Sequence, residues 1–479
     1  MKKIIVFGLS ALLLLSALAG CVKTGEDSGQ TVSGEGTALT EQQKATLNFG
    51  GETITFAYPP SYDMVYNESN GDPFLKRRAD RMVELGEKYN CTIEQIEGRG
   101  TYWDLMANTI AAGAPLGHVV VTQENYLFNW FKAGAAANLV NAMAETGIDF
   151  TDSRYSQVVR KKTRFDGGQY GFCDVPLNPT GALWVVNLSL FEREQIGDVY
   201  EMQANKEWTW DKVEEIAKKT TKRNADGTVS QWGLSCYQCT VLFGSLITSN
   251  GGNLDYYDDN GDPCIGLRDP EVMEAMETFY RWCVVDRIAN VNDGSKMWTE
   301  LIEEFTQGNT AITCSANKLL QIAEEAKMED RIGVVYPPIG PRAGGEYINQ
   351  AGGGQFYFIP STYEDMAAKL LLLVDDIYAP YEDASHDDLV MEKYAKRIGN
   401  TEQSMMTYIN MTKDSMRTSY NNGTAITHLD WTSPSITNLC GDIMRGEKLP
   451  GEAAETYASL FLKNMQDAMD GHKLNINAP

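Results

Sequence analysis

Apolar and polar residues alternate along this chain with two different periods, and the change of period marks its elements. Residues 52–58 (Glu-Thr-Ile-Thr-Phe-Ala-Tyr) alternate at period two and stop at Pro59-Pro60, which predicts a strand. Asp72-Pro73 then predicts a helix start, Asp as cap and Pro in the first turn, with Leu75, Ala79, Met82 and Gly86 at helical spacing. Cys91 to Ile96 reads as a second strand. Trp103, Met106, Ala107 and Ile110 line one face of a short helix that Gly113 ends. Val119-Val120-Val121 is a bare apolar run, the pattern of a strand buried on both faces. This βαβαβ opening predicts an α/β fold with a parallel sheet flanked by helices.

The pattern continues further on. Thr209 reads as a helix cap, with Trp210, Val213, Ile216 and Ala217 on one face and Lys218 and Lys219 in the last turn, where the helix dipole favours cations. Trp298, Leu301, Ile302 and Phe305 form another apolar face, closed by Gly308. Strands at 310–314, 332–336 and 355–359 alternate with helices near 317–328 and 362–377. No internal repeat is visible.

The first residues change the picture by setting the compartment. Lys2 and Lys3 precede an apolar run from Ile4 to Ala19, then Leu18-Ala19-Gly20-Cys21. A basic start, a short apolar stretch and small residues before a cleavage point make a secretory signal. The run is shorter than the ~20 residues a bilayer span needs. Small residues ending on a cysteine resemble the bacterial lipoprotein processing site, which implies an acylated Cys21 anchoring the chain to the outer face of the cell membrane. Residues 22–46 carry almost no large apolar side chains and read as a flexible tether. The roughly 430 residues beyond exceed one ordinary core, so two lobes are expected.

A net charge of −24 disfavours nucleic acid and anionic membrane surfaces as partners. Of nine cysteines, eight lie beyond Cys21, spread through the chain rather than packed as a disulfide framework. Cys236-Tyr-Gln-Cys239 is a lone CxxC without a second pair or a neighbouring histidine; buried thiols or one local disulfide fit it better than metal or redox chemistry.

Catalytic patterns are missing. There is no HExxH, GxSxG, phosphate-binding glycine loop or GxGxxG. Four histidines are scattered, and a glycosidase's paired carboxylates are not a sequence signature. Asp-Gly at 226–227 and Asn-Gly at 260–261 imitate calcium loops, but Lys222 and Tyr256 fall where the first ligand should be; both read as turns. No catalytic residue, cofactor or metal is predicted.

Several segments, in this order, resemble the extracellular solute-binding family typified by maltose-binding proteins of ATP-driven (ABC) importers. They are Trp208-Thr-Trp210-Asp with Gln231-Trp-Gly-Leu234, then Asn250-Gly-Gly252 with Asp269-Pro-Glu-Val, Phe305-Thr-Gln-Gly-Asn-Thr-Ala-Ile312, and Gly333-Val-Val-Tyr-Pro-Pro-Ile-Gly-Pro341. The resemblance implies a two-lobed, type II periplasmic-binding-protein-like fold with a multi-strand hinge and the ligand cleft between the lobes. It divides the chain into signal (1–20), tether (21–47), first part of lobe 1 (48–178), first part of lobe 2 (179–310), second part of lobe 1 (311–405), and hinge return with lobe 2 helices (406–479). Crossings are expected near 178–181, 310–315 and within 405–425.

The implied function is capture of a carbohydrate, an oligosaccharide above all, by a monomer that delivers it to importer permeases. A peptide or polyamine is the alternative solute, and an exported hydrolase the alternative activity. A sugar site uses aromatic faces against C–H surfaces and amides or acids against hydroxyls. Trp431 is the expected stacking platform. Glu124 and Asn125 follow a strand at its carboxyl end, where open α/β sheets bind ligands. Tyr58, Trp103 and Trp184 are further aromatic candidates, and Gly352 and Gly353 allow close backbone approach. Trp208, Trp210, Trp282 and Trp298 are assigned to the core.

Overall fold

The computed structural model describes residues 47–59, 66, 72–97, 109, 112–123, 127, 130–175, 182–297, 299–350, 355–394, 401–413, 417–419 and 434–474. The chain enters through β1 (Thr53–Tyr58), α1 (Pro73–Tyr89), β2 (Thr92–Glu97) and β3 (Val119–Gln123). Helices α2 (Val140–Thr146) and α3 (Gln157–Lys162) and a hairpin, β4 (Arg164–Phe165) and β5 (Gly168–Gln169), follow. Next come β6 (Leu183–Asn187), α4 (Leu188–Arg193), α5 (Val199–Ala204), α6 (Trp210–Thr220), β7 (Lys222–Arg223), β8 (Val229–Cys236) and α7 (Cys239–Ser249). A second hairpin, β9 (Asp255–Tyr257) and β10 (Pro263–Ile265), precedes α8 (Pro270–Tyr280), β11 (Ala289–Val291), α9 (Glu300–Thr306), β12 (Thr310–Ser315), α10 (Lys318–Glu325) and β13 (Ile332–Val335). The last elements are β14 (Asn349–Gln350), β15 (Gln355–Phe358), α11 (Ala367–Ile377), α12 (His386–Tyr394), α13 (Glu402–Thr412), β16 (Arg417–Ser419), α14 (Ile436–Met444) and α15 (Pro450–Met469).

Local chemistry explains the helix starts. Asp72 caps α1, its carboxylate accepting from the Leu75 amide at 3.1 Å with Pro73 in the first turn. Thr209 caps α6 through the Lys212 amide at 3.3 Å. The Asp-Gly and Asn-Gly pairs are turns, Gly227 at φ +86° and Gly261 at φ +77°.

Two sheets organise two lobes. The first, in order β15-β3-β1-β2, is parallel through β1, β2 and β3, with β15 antiparallel at the edge. Its core takes Phe56, Val120, Phe358 and the apolar face of α11. The second, in order β11-β8-β12-β6-β13 with β7 against β8, buries Trp184, Leu234 and Ile312 beneath α6, α7, α8 and α14. A third cluster on its other face joins Leu183, Val185 and Val334 with α9, α10 and α13, and takes in Phe74 and Leu75 of α1. Trp208, Trp210 and Trp282 are core residues, as the sequence predicted, and Trp298 lies outside the described residues.

One division differs from expectation. The family resemblance places residues 311–405 in the first lobe, with a crossing at 310–315. Instead β12 is a central strand of the second sheet, parallel to β8 and antiparallel to β6, and β13 pairs with β6 in the same sheet. The chain rejoins the first sheet between Val335 and Gln355. The reason is that β12 is buried along its whole length. A strand buried on both faces shows its type in sequence, but not its neighbours.

Close packing between β8 and α6 depends on Gly233. A Cβ at Gly233 would fall inside the Ala217 backbone, so strand and helix must separate to admit it. Gly233→Ala is expected to cost about 1–3 kcal/mol, read by urea unfolding.

Candidate functional site

The parallel strands of the first sheet share a carboxyl edge. β1 ends there at Tyr58, β2 at Glu97 and β3 at Gln123, and antiparallel β15 starts there, Gln355 opposite Gln123. Ligands of open α/β sheets bind outside this edge. Trp103, Glu124, Asn125, Gly352 and Gly353 belong to the segments that leave or enter it, and with Trp431 and Cys21 they lie outside the described residues.

Tyr58 is described and is fully buried. Its hydroxyl accepts from Gln95 Nε2 at 3.4 Å. Burial pushes its phenol above the usual range, so it stays neutral at any ordinary pH. Beside it the Arg78 guanidinium pairs with Asp174 at 3.2 Å and lies over the Tyr378 ring at 4.4 Å. Tyr58 thus anchors a buried polar cluster behind the edge. Trp184 is likewise enclosed: its ring is 0% exposed in the second core, and Nε1 donates to Ser245 Oγ at 2.8 Å. The structure therefore does not bring these two rings to an open surface.

The second sheet has a matching edge. Parallel β8, β11, β12 and β13 all end on it, and antiparallel β6 starts there. Tyr237, Asn292, Asn317 and Tyr336 follow those four strand ends directly or by two residues. Tyr336 and Tyr347 lie ring against ring, centroids 4.9 Å apart. Asn410 donates to the Tyr336 hydroxyl at 2.9 Å, and the Tyr408 hydroxyl donates to Asn317 Oδ1 at 2.8 Å. Tyr237, Tyr336, Tyr347, Asn317 and Asn410 are all half-buried. Ser315 Oγ, at the tip of β12, and Asn349 Oδ1, on the return to the first lobe, are buried without a hydrogen-bond partner among the described residues. Such orphaned polar atoms are costly unless another polar group reaches them.

None of these residues stood out in the sequence. The signal was there only as tyrosine or asparagine just past a strand end, which becomes meaningful once the strands share a sheet.

No group of three or more His, Cys, Asp or Glu among the described residues is arranged to hold a metal. All eight described cysteines are free thiols, Cys236 and Cys239 among them and both buried. Burial also pushes the Cys314 thiol well up, which leaves it inert as a nucleophile.

His118 completes the pairing of β1 with β3. Its amide donates to Thr55 O at 2.8 Å, and its Nδ1 accepts from the Thr55 amide at 3.1 Å, with the ring stacked on Tyr363 at 4.2 Å. Desolvation lowers its pKa from the ordinary 6.5, the Glu52 charge opposing. The folded chain therefore binds this proton more weakly than the unfolded one. Its contribution is full above about pH 6.5 and lost as pH falls below it. Urea unfolding at pH 7.5 and 5.5 should show that loss in the native chain and a smaller one in His118→Leu.

The sequence profile of the bacterial extracellular solute-binding proteins matches residues 86–374. Solved structures share the architecture. A cyclo/maltodextrin-binding protein complexed with maltotetraose superposes with a TM-score of 0.61 at 14% identity, covering 88% of this chain and 97% of its own. The GacH receptor of Streptomyces glaucescens, solved unliganded and with acarbose, gives 0.58 at 14%, covering 87% and 99%. UgpB of Mycobacterium tuberculosis, in complex with glycerophosphocholine, gives 0.58 at 14%, covering 88% and 99%. No curated protein matches the sequence. With the profile spanning more than half of the chain and the two-lobed fold in agreement, this chain belongs to the bacterial extracellular solute-binding protein family.

Proposed function

We propose that this protein captures a carbohydrate, an oligosaccharide above all, between its two sheet edges and delivers it to an ABC importer. The observation that carries the reading is the chemistry of the second edge. Half-buried tyrosines stand there with the amides of Asn317 and Asn410, and Ser315 Oγ and Asn349 Oδ1 are buried without a partner among the described residues. Aromatic faces and neutral hydrogen-bonding groups suit a polyol ring better than a charged solute. Three structural neighbours were solved with maltotetraose, maltotriose and acarbose, in keeping with such a site.

On the first-lobe side the proposed contacts are Trp103, Glu124, Asn125, Gly352 and Gly353, with Trp431 as stacking platform. Tyr58 and Trp184 support the edges from within. The protein acts as a monomer without turning its ligand over. Acylated Cys21 holds it at the outer face of the cell membrane, where it meets the permeases.

A thermal-shift screen of the chain from Val22 onward tests the reading against maltooligosaccharides, other sugars, glycerophosphocholine, peptides and polyamines. A ligand at a hundred times its dissociation constant adds about 2.7 kcal/mol of stability. The expected result is a shift with one oligosaccharide series that Trp431→Ala abolishes. A shift with glycerophosphocholine, a peptide or a polyamine, and none with sugars, would replace carbohydrate by that solute.

A further inference from the structure

The two lobes are joined by more than the crossing strands. α15 is a single helix of 20 residues, about 30 Å long at 1.5 Å per residue. Its first half, through Ala453, Tyr457 and Phe461, is buried in the second core, whereas Met465 and Met469 are buried in the first. Asp470 ends it in the left-handed conformation, φ 50°, and Gly471 follows at φ 85°. The chain then lies along the β4–β5 hairpin of the first lobe.

That contact is specific. Leu474 forms an antiparallel bridge with Phe165, and both side chains are 1% exposed. The Asp166 amide donates to Lys473 O at 3.0 Å, and the Lys473 amide donates back to Asp166 Oδ1 at 2.9 Å. His472 Nδ1 lies 2.6 Å from Asp166 Oδ2, with its ring edge-on to Phe131 at 4.9 Å. The second lobe braces the same segment from behind. The β9–β10 hairpin is rooted in the second core by Leu254 and Leu267, which flank it, while its Tyr257 reaches into the first. Its turn brings Asp262 within 3.3 Å of Lys473 Nζ, and Gly261 so close to Leu474 O that a Cβ would approach to 2.9 Å.

We propose that residues 470–474 form a latch between the lobes, holding them in the arrangement seen here and releasing the β4–β5 hairpin when they part. The contact is strong enough to bias that motion and weak enough to break. Its polar side-chain contacts are exposed, His472 by 37% and Asp166 by 43% of their side chains, so each contributes little. Its apolar part is one leucine on the hairpin and two methionines, whose flexible side chains repack readily. Segments held by so few buried contacts open locally without global unfolding. The proposal needs the two-lobed fold and not the identity of the solute.

The test uses the full exported chain without ligand, in three forms besides the native one: Leu474→Asp, Asp166→Asn, and Lys463→Ala as a control on the exposed flank of α15. Small-angle scattering and amide hydrogen exchange are read together. In Leu474→Asp the radius of gyration should rise, and exchange at 165–169 should quicken at least tenfold. Exchange in β1, β3, β8 and β12 should stay native. Asp166→Asn should show the same pattern more weakly, and Lys463→Ala none of it. Faster hairpin exchange at an unchanged radius in both variants would make the segment a mere cover of the hairpin and overturn the latch. Acceleration spreading into β1 and β3 would make it part of the first core, and no change at all would leave it no role; either also overturns it.

Discussion

Trp184→Ala is expected to destabilise the protein by about 3–5 kcal/mol, the range for truncating a large buried aromatic. The ring is wholly enclosed in the second core, on the second residue of β6, between β12 and β13. Its loss removes packing against Leu234, Ile312 and the helices above them. It also leaves Ser245 Oγ, buried on α7, without the indole N–H that it accepts at 2.8 Å. Trp184→Phe separates the two effects. It keeps most of the volume and removes only the hydrogen bond and part of the packing, for about 1–2 kcal/mol. Urea unfolding gives both values. Solute affinity per folded molecule, measured by calorimetry with the ligand from the thermal screen, should be native in Trp184→Phe. A variant of native stability that had lost its ligand would instead put this ring in the cleft.

Trp184 also shows where sequence reasoning stops. Every residue of β6 is buried, so the alternation that separates core from cleft on a one-sided strand has nothing to report. The elements themselves were legible wherever the signal is local: Asp72 with Pro73, Thr209 with its lysines, and the glycine turns at 227 and 261 all behave as their chemistry dictates. Partnership between distant strands was not. β12 was recognised as a strand, yet its place beside β6 and β8 rests on contacts more than seventy residues away in sequence. The same limit hid Tyr237, Asn317 and Tyr336, since a strand end gains meaning only from the ends beside it. On the first lobe, Tyr58 was correctly placed at the end of its strand, but the helix and loops that cover it come from Arg78, Asp174 and Tyr378, scattered over 300 residues.

Those covering residues give the second large effect. Arg78→Met should cost about 3 kcal/mol, the lower end of the range for removing one partner of a buried ion pair. Arg78 is 8% exposed, and its partner Asp174 keeps a quarter of its side chain in water, which moderates the loss. Burial acts to lower the guanidinium's pKa, but the neighbouring Tyr378 phenol and the Asp174 carboxylate more than offset it and hold it firmly protonated. Methionine retains the apolar stem against Phe74 while discarding the charge over the Phe74 and Tyr378 rings, 4.7 and 4.4 Å away. Asp174 then faces the buried Tyr58, Tyr357 and Tyr378 with no cation. Adding Asp174→Asn should therefore recover part of the loss, and a double-mutant cycle by urea unfolding should return a coupling of about 1–3 kcal/mol. Additive single effects would mean that Arg78 acts through packing alone. The position gives the cycle a second readout. Asp174 anchors the chain shortly before it leaves for β6, and Phe74, one turn before Arg78 on α1, packs in the cluster that holds Leu183 and Val185. One helix thus grips the chain on both sides of its first passage between the lobes. A loosened grip there should weaken solute binding in Arg78→Met.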